Sequence, residues 1–166
     1  MNIFVLDRDP KVAARMHCDK HVPKMILETA QMLSTAHHVY NTPQAPHVYK
    51  EAYLNHPCTI WVRESGNNYR WAFALYEYLL REFRYRRGKE HKSGGIKDLL
   101  AETPPLPALG LTTFAQAMPD EYKHEDAVQA YRAYYKGDKA PFAKWEWPTA
   151  QTPWWWDSQK IYAAGA

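Results

Sequence analysis

Residues 17–28 read His-Cys-Asp-Lys-His-Val-Pro-Lys-Met-Ile-Leu-Glu, so two His, two Lys, an Asp, a Cys and a Glu share twelve positions. Placed at helical pitch, His17, Lys20, His21, Lys24, Glu28, Gln31, Thr35 and His38 fall within a sector of about 100°, at the i, i+3, i+4, i+7 spacing of one helix face. Val22, Ile26 and Leu33 lie opposite, with Cys18 and Met25 toward that side, and Asp19 points away from the stripe, where a local salt bridge suits it. Pro23 lacks an amide hydrogen and crowds the preceding turn, so it is expected to kink or divide the helix. The period is helical, and it decides the fold class.

The pattern extends in both directions. Residues 2–6, Asn-Ile-Phe-Val-Leu, are short and apolar and predict a buried strand or an extended start. Asp9-Pro10 then has the form of a helix opening, with Asp as N-cap and Pro at the first helical position, and a helical segment runs to about residue 40. Prolines at 43, 46 and 57 mark 41–58 as a loop. A second helix is expected over 59–87, with Trp61, Val62, Tyr69, Ala72, Phe73, Tyr76, Leu79, Leu80 and Phe83 on one apolar face and Arg63, Arg70, Arg81 and Arg84 along its edge. Residues 89–121 are Pro-rich and irregular, with a short helix near 95–102, and a third helix spans about 123–136, closed by Gly137. The aromatic tail around Trp145, Trp147 and Trp154 is expected to pack back over the domain or to leave rings available for stacking. The expected fold is mainly α: one compact domain over 1–166, with an extended N-terminal segment and a long irregular C-terminal half.

Composition narrows the function classes. At 166 residues the chain is long enough for a substantial core, and a net charge of +3 permits a polyanionic partner without demanding one. Two cysteines, Cys18 and Cys58, make no disulfide framework and suit a reducing compartment. The start lacks the basic region of a signal peptide, and no run approaches the ~18 apolar residues of a membrane span. The expectation is a cytoplasmic protein with no membrane partner and no cofactor.

The stripe invites three chemistries. His17 and His21, at i and i+4, have the spacing of a metal clamp, with Glu28, His56 or Cys58 as a third ligand. The metalloprotease pattern places Glu directly after the first His, and Cys18 stands there instead. Lys20 and Lys24, close together and beside His21, suit amine chemistry through a Schiff base. The same lysines, with Arg63 and Arg70, suit a phosphate backbone. A solvated polar face is the plain alternative to all three. His56, in Asn55-His-Pro-Cys58, reads either as a side chain capping its own turn or as a base-contacting or catalytic residue facing the stripe. Arg63, Asn67 and Arg70 read as surface partners of nearby acids or as phosphate ligands lining a groove.

These residues also resemble known proteins. Met-Asn-Ile-Phe-Val-Leu-Asp at the start, His-Cys-Asp-Lys-His-Val at 17–22 and Lys-Met-Ile-Leu-Glu at 24–28 are similar to a family of small phage proteins, nearly end to end. More remotely, the chain resembles the pyrimidine-dimer DNA glycosylases called phage endonuclease V. That family carries Arg-Glu-x-Pro-Arg on an early helix, where Lys20-His21-Val22-Pro23-Lys24 keeps both basic positions and the proline. Asn55-His56-Pro57 matches a segment of bacterial relatives, and Tyr134-Tyr135-Lys136 with the Trp154 cluster matches the aromatic C-terminal region.

The resemblance implies a compact helical fold and a DNA glycosylase/AP-lyase-like enzyme that attacks the sugar C1′ of a damaged or modified nucleotide, in the host cytoplasm if the chain is phage-encoded. An amine, that of Met1 or of Lys20 or Lys24, would be the nucleophile, and His21 with Glu28 or His17 the acid/base. His56, Arg63, Asn67 and Arg70 would hold DNA. This chain departs from the family at His21, which stands where the carboxylate belongs and leaves that role to Glu28 or Asp19. Asn2 disfavours removal of the initiator, so the amine would be that of Met1. Two other classes stay open: a non-catalytic phage module binding nucleic acid or a host protein, and a metal-dependent nuclease or base-modifying enzyme.

Overall fold

Asp9 opens the first helix as its sequence predicts: its side chain accepts a hydrogen bond from the Lys11 amide at 2.9 Å, and Pro10 begins α1 (Pro10–Met16). The computed structural model describes residues 1–156. The chain leaves the helix at His17, which is extended, and re-enters it as α2 (His21–Val39). The break therefore falls at 17–20 and not at Pro23. Pro23 is the third residue of α2, where an amide would have no intrahelical acceptor, so its missing N–H costs nothing there.

The helix expected over 59–87 is two, α3 (Pro57–Glu64) and α4 (Gly66–Arg87). Ser65 separates them in an extended conformation, its hydroxyl accepting from the Asn68 amide at 3.0 Å and donating to the Gly110 carbonyl at 2.6 Å. A side-chain acceptor satisfies the new helix start, so the chain bends there at little cost. The apolar face survives the break: Trp61, Val62, Tyr69, Ala72, Tyr76, Leu79 and Phe83 are all buried. Gly88, left-handed at φ 69°, ends α4. A 3-10 turn (Lys92–Ile96) leads into the short α5 (Lys97–Leu100). Asp126 caps α6 (Ala127–Tyr134), which widens into a π-helical turn at Tyr135–Lys139.

The fold is mainly α, with no strand among the described residues. Residues 3–6 are buried but form no strand, and the Leu6 amide donates to the Phe4 carbonyl at 2.9 Å, so the strand alternative is not formed. α2 lies against α4, α1 packs on α4, and α3 contacts both α2 and α4. The irregular C-terminal segment closes the remaining side. Trp145 donates to the Met16 carbonyl at 3.0 Å, and Trp155 is buried in the core. Asp157, at the end of that aromatic run, lies outside the described residues.

Asp19 holds this segment in place and corrects one expectation. It is a salt-bridge partner, but of the distant Arg86 at 3.2 Å, not of a local cation. Its other oxygen accepts the amides of Glu146 at 2.6 Å and Trp147 at 2.9 Å. Arg86 also donates to the carbonyls of His17 and Arg15, so the pair stitches the 17–20 break to α4 and the tail. No helix of the described residues is long and apolar enough to cross a membrane.

Candidate functional site at the chain start

The polar stripe is not a solvated face. His21, Glu28, Thr35 and His17 are buried, and of the predicted stripe only Lys20 and Lys24 are exposed. The stripe forms the flank on which irregular segments dock, and its polar groups satisfy their backbones. His38 bonds the Tyr49 carbonyl at 2.8 Å, and the Thr35 hydroxyl bonds both the amide and the carbonyl of Ala52 at 3.0 Å. Such segments carry backbone donors and acceptors without internal partners, which explains why a packed face is polar.

His17 and His21 are core residues. His17 donates through Nδ1 to the Ala13 carbonyl at 2.6 Å, and burial lowers its pKa to about 4. His21 stacks on Phe4 with ring centroids 4.5 Å apart and bonds the Tyr135 hydroxyl at 2.7 Å. Burial foremost, then the neighbouring His17 and lysines, lowers its pKa to about 2. Both rings are neutral and enclosed, and the helix break removes the i, i+4 register of a clamp. Among the described residues no group of three or more His, Cys, Asp or Glu is placed to hold a metal ion. Cys58 is equally unreactive, since burial pushes its thiol up to about 11.

A second polar grouping lies about two turns along α2. The α-ammonium of Met1 sits 3.0 Å from Glu28 Oε1, with the Met1 side chain only 2% exposed and that of Glu28 11%. The Asn2 amide donates to the same oxygen at 3.1 Å. His56 N-caps α3, its Nδ1 accepting the Cys58 amide at 3.1 Å. The chain start lies close to the ring: burial foremost, then the α-ammonium, lowers the His56 pKa. His56 thus caps its own turn, one of the two readings of its sequence.

Asn2 fixes the geometry and was not flagged as a site residue by its sequence. Its Oδ1 accepts from the Ile3 amide at 2.8 Å, the Tyr131 hydroxyl at 3.0 Å and the Cys58 thiol at 3.4 Å. Its Nδ2 donates to the Ala117 carbonyl at 2.8 Å. The available signal was a lone amide side chain heading an otherwise apolar run. Both side-chain polar atoms and the amide of Asn2 are engaged and the Met1 side chain is buried, which positions the amine beside Glu28.

The remaining predicted residues divide. Lys24 is exposed one turn before Glu28 on the same face of α2, and the Lys20 ammonium lies 4.5 Å over the Phe142 ring. Arg63, two turns along α3 from His56, has its Nη1 buried without a hydrogen-bond partner. Such an orphaned donor costs free energy unless a ligand or water meets it. Asn67 and Arg70 are exposed on α4 and bond each other at 2.7 Å. The structure therefore brings together Met1, Glu28 and His56, with Lys24 beside them, and keeps His17 and His21 apart from them. Compared with protein families, curated proteins and solved structures, the chain matches none.

Proposed function

We propose that the protein acts on DNA as a glycosylase/AP-lyase-like enzyme whose nucleophile is the α-amine of Met1. The observation that carries this reading is the 3.0 Å approach of a carboxylate, Glu28, to an amine that the buried Met1 side chain and Asn2 position beside it. The amine nitrogen forms a bond to the sugar C1′ as the C1′–base bond breaks with its electron pair to the leaving base. Glu28, as a carboxylate, stabilises the cationic sugar, then takes the proton that the amine sheds and passes it to O4′ as the C1′–O4′ bond breaks. Opening of the sugar ring then leaves an imine between C1′ and the amine. His56 is a positioning residue beside the chain start. Lys24 and the orphaned Arg63 Nη1 supply phosphate contacts. The carboxylate missing at His21 in the resemblance is supplied, on this reading, by Glu28.

A duplex carrying an abasic sugar, incubated with the protein and borohydride, tests the reading. Reduction of the imine gives a stable covalent complex, and acetylation of the α-amine is expected to abolish it. No covalent complex with abasic or base-damaged DNA would overturn the proposal. The alternative is a non-catalytic DNA-binding module, favoured by the same buried Met1 and saturated Asn2, since a chain start clamped for stability needs no chemistry. Salt-dependent binding without a covalent complex identifies it.

A further inference from the structure

Basic charge is not spread evenly over this chain. Residues 81–97, the end of α4 and the turn after it, hold seven of the 21 cations and only two of the 18 carboxylates, so this stretch carries +5 while the whole chain carries +3. Helical spacing sets Arg81, Arg84 and Tyr85 side by side on α4, and all three are exposed. The neighbouring acids are already taken: Glu90 pairs with Arg84 at 3.3 Å, Glu77 with Lys97 at 3.8 Å and Glu82 with the buried Arg86 at 3.5 Å. Arg81, Arg87, Lys89 and Lys92 have no carboxylate partner among the described residues.

These side chains line two grooves. Arg81, Arg84 and Lys97 converge, with Glu77 and Glu90, on a cleft of about 440 Å³. Tyr85 lines a larger groove of about 690 Å³, between α4, the end of α1 and residues 149–154, and shares it with Arg15 and Trp154. Both rings are largely uncovered, Tyr85 at 72% and Trp154 at 69% exposure. The walls that carry them are fixed. Arg86 donates to the Arg15 carbonyl at 2.9 Å, Trp155 donates to the Met16 sulfur at 3.3 Å, and the Arg132 guanidinium lies 5.3 Å over the Trp154 ring.

Each feature narrows the occupant. A local surplus of guanidinium and ammonium groups attracts a polyanion. Two uncovered rings in the adjoining groove select a polyanion with flat faces to stack, which an acidic peptide or a lipid headgroup lacks. Duplex DNA keeps those faces inside its own stack, whereas a single strand offers phosphates and base faces together.

We propose that the end of α4 and the groove beside it bind single-stranded nucleic acid, with Arg81 and Arg84 on the phosphates and bases stacked on Tyr85 and Trp154. Met1, Glu28 and His56 line neither groove, so this surface stands without the amine chemistry.

A fluorescent thymidine oligonucleotide of about 12 residues, titrated with the full chain over a salt series, tests the assignment by anisotropy. Wild type is expected to bind, and more weakly as salt rises. Tyr85→Ala and Trp154→Ala are each expected to weaken binding about 5- to 100-fold and to leave the salt slope unchanged. Tyr85→Phe, which keeps a ring, should bind like wild type. Arg81→Gln should lower the slope of log affinity against log salt by about 0.7. Tyr85 and Arg81 are exposed, so their variants should keep the wild-type thermal midpoint. No binding of the oligonucleotide would overturn the proposal, as would its displacement by polyglutamate or by duplex DNA as readily as by unlabelled strand. Binding that falls with Lys24→Ala and ignores both Tyr85→Ala and Arg81→Gln would also overturn it, while leaving the Met1 reading intact. Ring-dependent binding by a protein that traps no abasic sugar would sustain this surface and remove the amine chemistry.

Discussion

Two groups of titratable side chains flank α2, and they have opposite fates. At its N-terminus His17, Cys18, His21 and Tyr135 are enclosed by Phe4 and the tail, neutral and bonded to one another or to backbone. Further along, Met1 and Glu28 form an ion pair, with His56 close to the amine. The first group looks like chemistry in the sequence and builds the core. The second is inconspicuous in the sequence and holds the amine that, on the proposed function, is the nucleophile. Density of reactive residue types is thus a poor guide here; what separates the groups is whether charge survives burial.

The largest expected effect lies in the second group. Glu28→Gln keeps an oxygen for the Met1 and Asn2 nitrogens but accepts no proton. Covalent trapping is expected to slow by about 100-fold or more, the range of general acid–base catalysis, with a stability loss of about 1–3 kcal/mol from the weakened charge-assisted bond. Single-turnover trapping and denaturant unfolding measure the two separately. Unaltered trapping would dissolve the distinction between the groups.

His21→Ala tests the other side of the comparison. Loss of the ring leaves a void against Phe4 and the Tyr135 hydroxyl without its partner, so unfolding free energy is expected to fall by about 2–4 kcal/mol. Trapping per folded molecule, assayed well below the lowered thermal midpoint, should change little. A loss of trapping with stability preserved would restore His21 to the chemistry.

The buried histidines also predict an acid-side instability. His17 protonates near its ordinary 6.5 when unfolded but only near about 4 when folded, so the unfolded state binds the extra proton between these values. Its contribution is complete above pH 6.5 and is lost as pH falls toward 4, at about 1.4 kcal/mol per pH unit. His21, held at about 2, extends the decline to lower pH. His17→Asn, whose side-chain amide still donates to the Ala13 carbonyl, should flatten the slope of unfolding free energy against pH over this range. A slope that does not change would mean the ring is not neutral in the fold.

How far the sequence reached follows from the same physics. The apolar faces of α3 and α4 were legible because the side chains that made the pattern are the ones buried, from Trp61 to Phe83. The capped start at Asp9 was legible for a local reason, one side chain bonding one amide two residues on. The breaks at 17–20 and Ser65 were not, because they are stabilised by distant partners: Arg86 and the 146–147 amides in one case, Gly110 in the other. The polar stripe was seen, but neither a solvated face nor a reactive one describes most of it, since what covers it is irregular backbone, which leaves no periodic trace. Met1, Glu28 and His56 were each named from the sequence, yet the contact among them spans up to 55 residues of chain and only folding creates it. Asn2 was read only for retention of the initiator, and its hydrogen bonds to Ala117 and Tyr131 left no sequence trace.

The smallest effect is expected at the surface. Lys24→Ala and Lys20→Ala remove exposed charges and should alter stability by less than about 0.5 kcal/mol. Lys24→Ala should weaken DNA binding evenly across sequences and lower the slope of log affinity against log salt by about 1. A salt slope unchanged by Lys24→Ala would place the DNA backbone on another face of the molecule.

Where the trapped sugar is attached tests the central claim most directly. Proteolysis of the borohydride-reduced complex, followed by mass spectrometry, locates the modified nitrogen. The pairing of the Met1 amine with Glu28 predicts a single adduct on the α-amine of the N-terminal peptide, much reduced in Glu28→Gln. An adduct on Lys20 or Lys24 with the α-amine unmodified, or no adduct at all, would contradict it.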